Sequence, residues 1–562
     1  MKLLDSRRLT GPNLLQEREG AVLDVALDEK EADAAVAAWR EQVRRLLDAV
    51  GWREESLAVR RFPSGASLSI SAPIDALYSA TEVNERAWEA AEEALRGEVP
   101  DLEEIAVRLR AEIERERNPA LLALRAAAER RGVAFLADDR QASIGLGKGA
   151  LTWPVEDLPR PEEVAWERVH DVPVVLVTGT NGKSTTVRLL AAMARAAGVM
   201  AGTTSTDLIE VGGEVLERGD FSGPVGARAL LRDPRVEMAI LETARGGMLR
   251  RGLAVRRADA AAVTNVAADH LGEHGVDDLE ALAETKLVVA RAVGPEGRVV
   301  LNADDPLLVA GAAGIAAPVV WFSLDPESAE LRNLLERGDP AWVLHQGEIE
   351  QWHGGWKQVV ARAEEIPITF GGAARHNIAN ALAALALGAA VRLPQEAMVR
   401  ALRQVRSDPD DNPGRGNLFE IGGVRILLDY AHNPHGIAAL LGLAVNLPAR
   451  RRLILLGQAG DRDDEALREL AQAVWKLHPD RVIVKELPEL LRGRQPGEVP
   501  AILEDELRRL GAGDEQIGRA GNELEAVRQA LAWAKKGDLL LLLVHTQREE
   551  VLALLRRLQE AG

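Results

Sequence analysis

Thirteen residues, Val174-Val-Leu-Val-Thr-Gly-Thr-Asn-Gly-Lys-Ser-Thr-Thr186, limit what this 562-residue chain can fold into. An apolar β-type run passes through a glycine turn into a helical pattern over 187–197, the order strand, tight turn, helix. Such a turn exposes the backbone amides of Thr180, Asn181, Gly182, Lys183 and Ser184 beside the positive end of a helix, which together cradle phosphate oxygens. Lys183 is placed to reach terminal phosphates, and Ser184 or Thr185 to hold Mg²⁺. The spelling departs from G-x-x-x-x-G-K-[ST], because Val177 stands five residues before Gly182. A plain structural turn would need neither the lysine nor the hydroxyls.

The loop implies an α/β fold, and the surrounding pattern agrees. β-type runs over 173–177, 236–241, 258–263 and 297–301 alternate with helical patterns, as in a mostly parallel sheet covered by helices. The turn-rich segment 407–414 marks a boundary. A second series of β-type runs follows it, over 424–428, 452–456, 481–484 and 538–544, and reads as a Rossmann-like C-terminal unit. Residues 1–170 have another texture, with short β-like runs (21–27, 57–62) between long charged helical patterns (31–50, 101–116), which reads as α+β. Three prolines in 153–161 predict an irregular linker. The expected division is 1–168, a central 169–407 and a C-terminal 408–562.

Charge and composition exclude several functions. With 69 Lys+Arg against 87 Asp+Glu the net charge is −18, a field that repels nucleic acid. Zero cysteines exclude disulfides, thiolate metal sites and a cysteine nucleophile. The longest candidate membrane stretch, 381–391, falls short of the roughly 20 residues a spanning helix needs. The polar start offers no signal core, so a cytoplasmic location is expected. Lysines number 10 and arginines 59, and between Gly149 and Trp356 the only lysines are Lys183 and Lys286. Where arginine is the default cation, each lysine suggests a need for a compact ammonium or a titratable amine.

The variant Gly179-Thr-Asn-Gly-Lys-Ser-Thr185 resembles the phosphate loop of the Mur ligase family, the ATP-dependent amide ligases of cell-wall, folate and cyanophycin synthesis. Further segments match that family in order: Glu242 closing a β-type run, Thr264-Asn265, Asp269-His270, Lys286, Arg375-His-Asn-Ile-Ala-Asn380, Pro413-Gly-Arg415, Asp429-Tyr-Ala-His-Asn-Pro434 and Gly460-Asp-Arg-Asp463. The resemblance implies ATP and Mg²⁺ as cofactors and Lys183, Glu242, His270 and Lys286 as catalytic residues. It places the nucleotide on Thr180 to Thr185, Asn377, Arg415, Asp429 and His432, and the metal on Ser184, Glu242 and His270. A carboxylate and a neutral imidazole suit Mg²⁺ when phosphates supply the other oxygens. Lys286, in a helical pattern over 278–293, matches a lysine the family carbamylates, a reaction open to an amine and closed to a guanidinium.

Within the family the chain is most similar to the cyanophycin synthetases. Asp220-Phe-Ser-Gly-Pro224, Glu242-Thr-Ala-Arg-Gly-Gly-Met-Leu-Arg-Arg251, Leu491-Arg-Gly-Arg-Gln-Pro-Gly-Glu498, Leu9-Thr-Gly-Pro-Asn13 and Thr81-Glu-Val-Asn-Glu85 carry that similarity. Those enzymes hold an ATP-grasp ligase between their N-terminal and Mur parts. Here the short stretch between Gly149 and Asp171 leaves no room for one. Arg245, Arg250 and Arg251 at a strand end could bind substrate carboxylates, with surface solvation an equal alternative. Asp461 and Arg462 are further substrate candidates. The implied function is carboxylate activation as an acyl phosphate, then joining of an amino acid or other amine to an acidic or peptide-like acceptor, with ADP released. A folate- or polyglutamate-type ligase and a nucleotide-binding scaffold without turnover are the two alternatives. No nucleic acid or membrane partner is expected, and self-association stays open.

Overall fold

The strand Val174–Thr178 is buried along its whole length, as an apolar run must be when helices cover both faces of its sheet. A computed structural model describes residues 1–269, 271–409 and 411–561. In it this strand lies inside an eleven-stranded sheet. From Ala201–Thr204 the neighbours run Met238–Glu242, Val174–Thr178, Ala258–Val263, Val293–Asn302, Val319–Ser323 and Ala341–His345, all parallel. Antiparallel strands extend both edges: Leu208–Val211 and Glu214–Arg218 at one, Glu348–His353 and Trp356–Arg362 at the other.

The register decides where the chemistry collects. Glu242 pairs with Val177 and Val263 with Thr178, so the loop after Thr178, the carboxylate of Glu242 and Thr264 emerge together at the carboxyl ends of the strands. One face of the sheet is covered by the helices Lys183–Ala196 and Arg375–Ala390, where Leu190, Met193, Leu382 and Leu385 interlock. The helix Pro224–Leu231 packs on the other face.

A second sheet runs Asn417–Ile421, Val424–Asp429, Leu539–Leu543, Arg452–Leu456, Arg481–Lys485, Ile517–Ala520. All but the first of these are parallel, which is the Rossmann-like pattern expected. The N-terminal part is α+β. Its antiparallel sheet, Lys2–Leu9, Gly20–Ala26, Gly65–Ser71, Leu57–Phe62, packs with the helices Glu29–Ala49 and Leu77–Leu95 around Trp39 and Trp88. No helix among the described residues is long and apolar enough to cross a membrane.

Three expectations need correcting. The supposed linker begins in a strand, Leu151–Pro154, where Trp153 and Pro154 pair with Ala142 and Gln141. Proline is tolerated there because the strand is an edge and Pro154 ends it. The helix expected to reach residue 293 is α-helical only over Leu279–Leu287, tightens to a 3₁₀ turn over Val288–Ala292 and then becomes the strand Val293–Asn302. The helix expected from residue 187 starts at Lys183, directly on Gly182, whose φ of 87° turns the chain from loop to helix.

Candidate active site

Two glycines shape the phosphate loop. A Cβ on Gly179 would lie 1.9 Å from Thr264 Oγ1, and one on Gly182 would lie 2.2 Å from Asn380 Oδ1. The Thr264-Asn265 pair is the loop's scaffold. Asn265 accepts from the Thr180 amide through its carbonyl and from the Asn181 amide through Oδ1, both at 2.9 Å, while Thr264 Oγ1 donates to the Asn181 carbonyl at 2.6 Å. Lys183 Nζ arches back over the loop and donates to the Gly179 and Thr180 carbonyls, each at 3.0 Å.

Glu242 is 2% exposed, and its Oε2 accepts from Ser184 Oγ at 2.8 Å. Its Oε1 is buried with no hydrogen-bond partner among the described residues. An orphaned carboxylate oxygen beside a hydroxyl at a phosphate loop is the donor set a hard divalent cation takes. Mg²⁺ therefore fits Ser184 and Glu242; His270, the third ligand expected, lies outside the described residues. Lys286 is 3% exposed and makes no hydrogen bond or ion pair among the described residues. Burial, then the Lys183 ammonium, push it well below the ordinary lysine range, and the carboxylates of Asp269 and Asp305 only partly offset this. The shift favours the uncharged form of the amine.

The carboxyl ends of the two parallel sheets face each other across a cavity of about 890 Å³. Of the nucleotide residues expected, Asn181, Gly182, Thr185, Asn377, Arg415, Asp429 and His432 line it. Thr180, Lys183, Ser184, Glu242 and Lys286 do not. The side-chain amides of Asn181 and Asn433 bond each other in both directions at 3.2 Å, and Asn433 Oδ1 also caps the helix Pro434–Asn446. Asp429 Oδ1 and Oδ2 accept from the amides of Ala431 and Gly416, both at 2.7 Å. Burial raises its carboxyl pKa against the pull of Arg415, whose guanidinium stacks 4.5 Å from the Tyr430 ring.

Sequence reading missed Asn302, Asp305, His376 and His435 in the same cavity. His376 lies inside the quoted Arg375 motif, and the Asp305-Pro306 pair is a helix-start signal, so both were within reach. Burial and the neighbouring His435 hold His376 at about 4, which keeps it neutral.

The substrate candidates part company. Arg462 Nη2 reaches Asp269 Oδ1 at 2.7 Å, joining the two sheets beside the Asp269-His270 motif. Arg245 is buried and ion-paired with Glu273, Asp461 pairs with Arg492, Arg250 folds onto the Gly246 carbonyl at 3.1 Å, and Arg251 donates to the Arg8 carbonyl at 3.1 Å. The N-terminal sheet thus grips the segments that follow the site residues: Arg7 Nε donates to Leu249 O at 3.0 Å and Arg60 Nη1 to Gly275 O at 2.6 Å. Asp5, Asp24 and His274 lie together there, but the guanidinium of Arg7 already fills the space between the carboxylates.

Asp207 makes a third link between the sheets' units. It accepts from Arg188 at 2.6 Å and from Arg548, in the last helix, at 2.8 Å. Burial alone would raise its carboxyl, yet Arg415, Arg188 and Arg548 outweigh it and hold Asp207 at about 2, against 3.8 for a free aspartate. Stability from a depressed carboxylate is complete above the unfolded value and lost as pH falls through the folded one. Asp207→Asn should therefore cost about 2 kcal/mol at neutral pH, and the gap to wild type should close between about pH 4 and pH 2 in denaturant melts.

A phosphate loop at the carboxyl end of one parallel sheet, closed over by the carboxyl end of a second, defines a two-sheet P-loop nucleotide-binding protein. Comparison with known proteins narrows the class. The family model described as Mur ligase middle domain matches residues 177–388, and that described as Mur ligase, glutamate ligase domain matches 414–543. The chain is 30% identical over 376 residues to a UDP-N-acetylmuramoylalanine--D-glutamate ligase of Nitrosococcus oceani, covering 66% of this chain and 68% of that one. It belongs to the Mur ligase family. It is also 43% identical over 332 residues to a cyanophycin synthetase of Synechocystis sp. and 39% identical over 378 to one of Trichormus variabilis, covering 59% and 67% of this chain. The matches span 38% and 42% of those two proteins, so the chain answers to about two fifths of their length. Among solved structures, E. coli FolC in complex with ADP superposes with a TM-score of 0.51 at 20% identity, covering 69% of this chain and 90% of that one, and shares the fold.

Proposed function

We propose that the protein is an ATP-dependent, ADP-forming ligase that activates a substrate carboxylate as an acyl phosphate and joins an amino acid or other amine to it, as the Mur-type part of a cyanophycin synthetase would. The observation that carries this reading is the single cavity whose walls are the phosphate loop and the 429–434 motif. Residues 169–407 would supply the nucleotide, 408–562 the closing wall, and 1–168 the acceptor's support.

A carboxylate oxygen of the acceptor attacks the γ-phosphorus of ATP, the bond from that phosphorus to the β,γ-bridging oxygen breaks, and ADP leaves. The amine nitrogen then attacks the acyl carbon, the carbon–oxygen bond to phosphate breaks, and the amine gives up a proton. Phosphorylation is required because a carboxylate oxygen is a poor leaving group. The loop amides and Lys183 meet charge that grows on the phosphoryl oxygens. Mg²⁺ held by Ser184, Glu242 and His270 would supply further neutralisation of the phosphates. The Lys286 amine, in its uncharged form, can add to the carbon of CO₂, forming a nitrogen–carbon bond and releasing a proton, which gives an anionic carbamate near the loop. The Asn181–Asn433 and Arg462–Asp269 links hold the second sheet over the first, which suits keeping an acyl phosphate from water.

An ADP-release screen of amino acids paired with acidic peptides, with products read by mass spectrometry, tests the reading. ADP and phosphate should appear only when acid and amine are both present. Production of AMP and pyrophosphate would overturn the acyl-phosphate mechanism. With free amino acids alone no long alternating Asp-Arg polymer should form, since its two different bonds would need two kinds of ligase site.

A further inference from the structure

At the opposite end of the central sheet, where Val174–Thr178, Ala258–Val263 and Val293–Asn302 begin, a second cavity of about 1000 Å³ opens against the N-terminal unit. Six arginines line it: Arg125, Arg228, Arg256, Arg257, Arg291 and Arg392. Two of them are neutralised, since Arg125 and Arg256 both pair with the buried Glu19. The other four form no ion pair among the described residues. Arg257 donates to the Gly132 carbonyl at 3.2 Å and Arg291 to the Asn13 carbonyl at 2.5 Å, and both are exposed, as is Arg392.

Arg228 is the unusual member. It is 6% exposed, and among the described residues it donates only through Nη2, to the carbonyl and the hydroxyl of Thr10 at 3.0 and 2.8 Å. Buried guanidinium groups are ordinarily paired with a carboxylate. Here burial, reinforced by Arg232 and Arg251, pulls its pKa to about 10. The carboxylates of the cavity are already committed: Glu19 and Glu129 to Arg125, Asp171 to the Ala134 amide, Asp259 to the Val174 amide at 2.8 Å. Glu296, exposed at the edge, is the one carboxylate of the lining with no partner among the described residues. Six arginines against the five carboxylates Glu19, Glu129, Asp171, Asp259 and Glu296 leave the lining slightly positive in a chain of net charge −18, with four guanidinium groups outside any ion pair among the described residues.

We infer that this cavity binds a small polyanion, a molecule with two or more carboxylate or phosphate groups, with Arg228 meeting one group and Arg257, Arg291 and Arg392 holding the others. Guanidinium forks match both kinds of oxyanion. The site is separate from the nucleotide cavity, and its walls come from both the N-terminal unit and the central sheet, so an occupant would tie the two together.

Thermal melting of the full chain tests this with citrate, tri-L-aspartate and pyrophosphate as probes, each against chloride at equal ionic strength. Binding to the folded state should raise Tm with the logarithm of probe concentration above Kd, by about 2 °C at a hundredfold excess over Kd. The rise should persist in Lys183→Ala, which alters the phosphate loop, and disappear in the double variant Arg257→Ala/Arg392→Ala, whose exposed positions leave folding intact. Arg228→Gln, if it folds, should abolish it as well. A response to citrate and tri-aspartate alone identifies a carboxylate ligand, and a response to pyrophosphate alone a phosphate one. Absence of a rise with every probe would overturn the inference. So would a rise that survives the double variant, or one that vanishes in Lys183→Ala.

Discussion

Lys183→Ala should reduce ADP formation by roughly 10²- to 10³-fold, the scale lost when one preorganised charge is removed from a developing oxyanion. The native fold should survive. Among the described residues the ammonium bonds only the carbonyls of Gly179 and Thr180, and the loop's own shape rests on Thr264, Asn265 and the two glycines. The backbone amides would still cradle phosphate, so nucleotide binding should weaken less than turnover falls. Circular dichroism and melting temperature close to wild type, with ADP release nearly gone, is the expected result. Near-wild-type turnover in the folded variant would remove this loop from the chemistry.

Lys286→Arg should cost roughly 10²-fold in activity, comparable with losing a group that orients a metal site. Arginine has a similar length and a permanent positive charge but cannot take up CO₂. A residue serving only as a positive charge would tolerate it. Lys286 is poorly suited to that role in any case, because burial and the nearby Lys183 already disfavour its ammonium. Since arginine is bulkier and the site is closed, melting temperature must be read beside the rates. The independent readout is intact mass in bicarbonate buffer, where wild type should gain the mass of one CO₂ and the variant should not. An unmodified lysine whose replacement leaves turnover unchanged would take Lys286 out of the site.

How much was legible beforehand follows from which interactions are local. The strand, loop and helix around residues 174–186 could be read directly, because glycine conformation, helix-end amides and apolar runs act within a few residues. The strands Glu348–His353 and Trp356–Arg362 were not foreseen. Their mixed polar and apolar residues become strand by pairing with each other and with Ala341–His345 at a sheet edge. Similarly, the 278–293 segment read as one helix from its composition, yet Val293 is drawn into pairing with Ala258 and ends it early.

The candidate site divides along the same line. Sequence alone determined that a phosphate loop, a strand-end glutamate, a selected lysine and a chain of family motifs were present, since residue type and spacing are properties of the chain itself. Only the tertiary structure decided that Ser184 and Glu242, 58 positions apart, share a hydrogen bond, and that Asn181 meets Asn433 across 252. It also decided that Lys286 is sealed from water while Arg250 is not, and that Arg228 is buried without a carboxylate. Burial and pairing depend on which distant segments the sheet register brings together, and no local spacing encodes them.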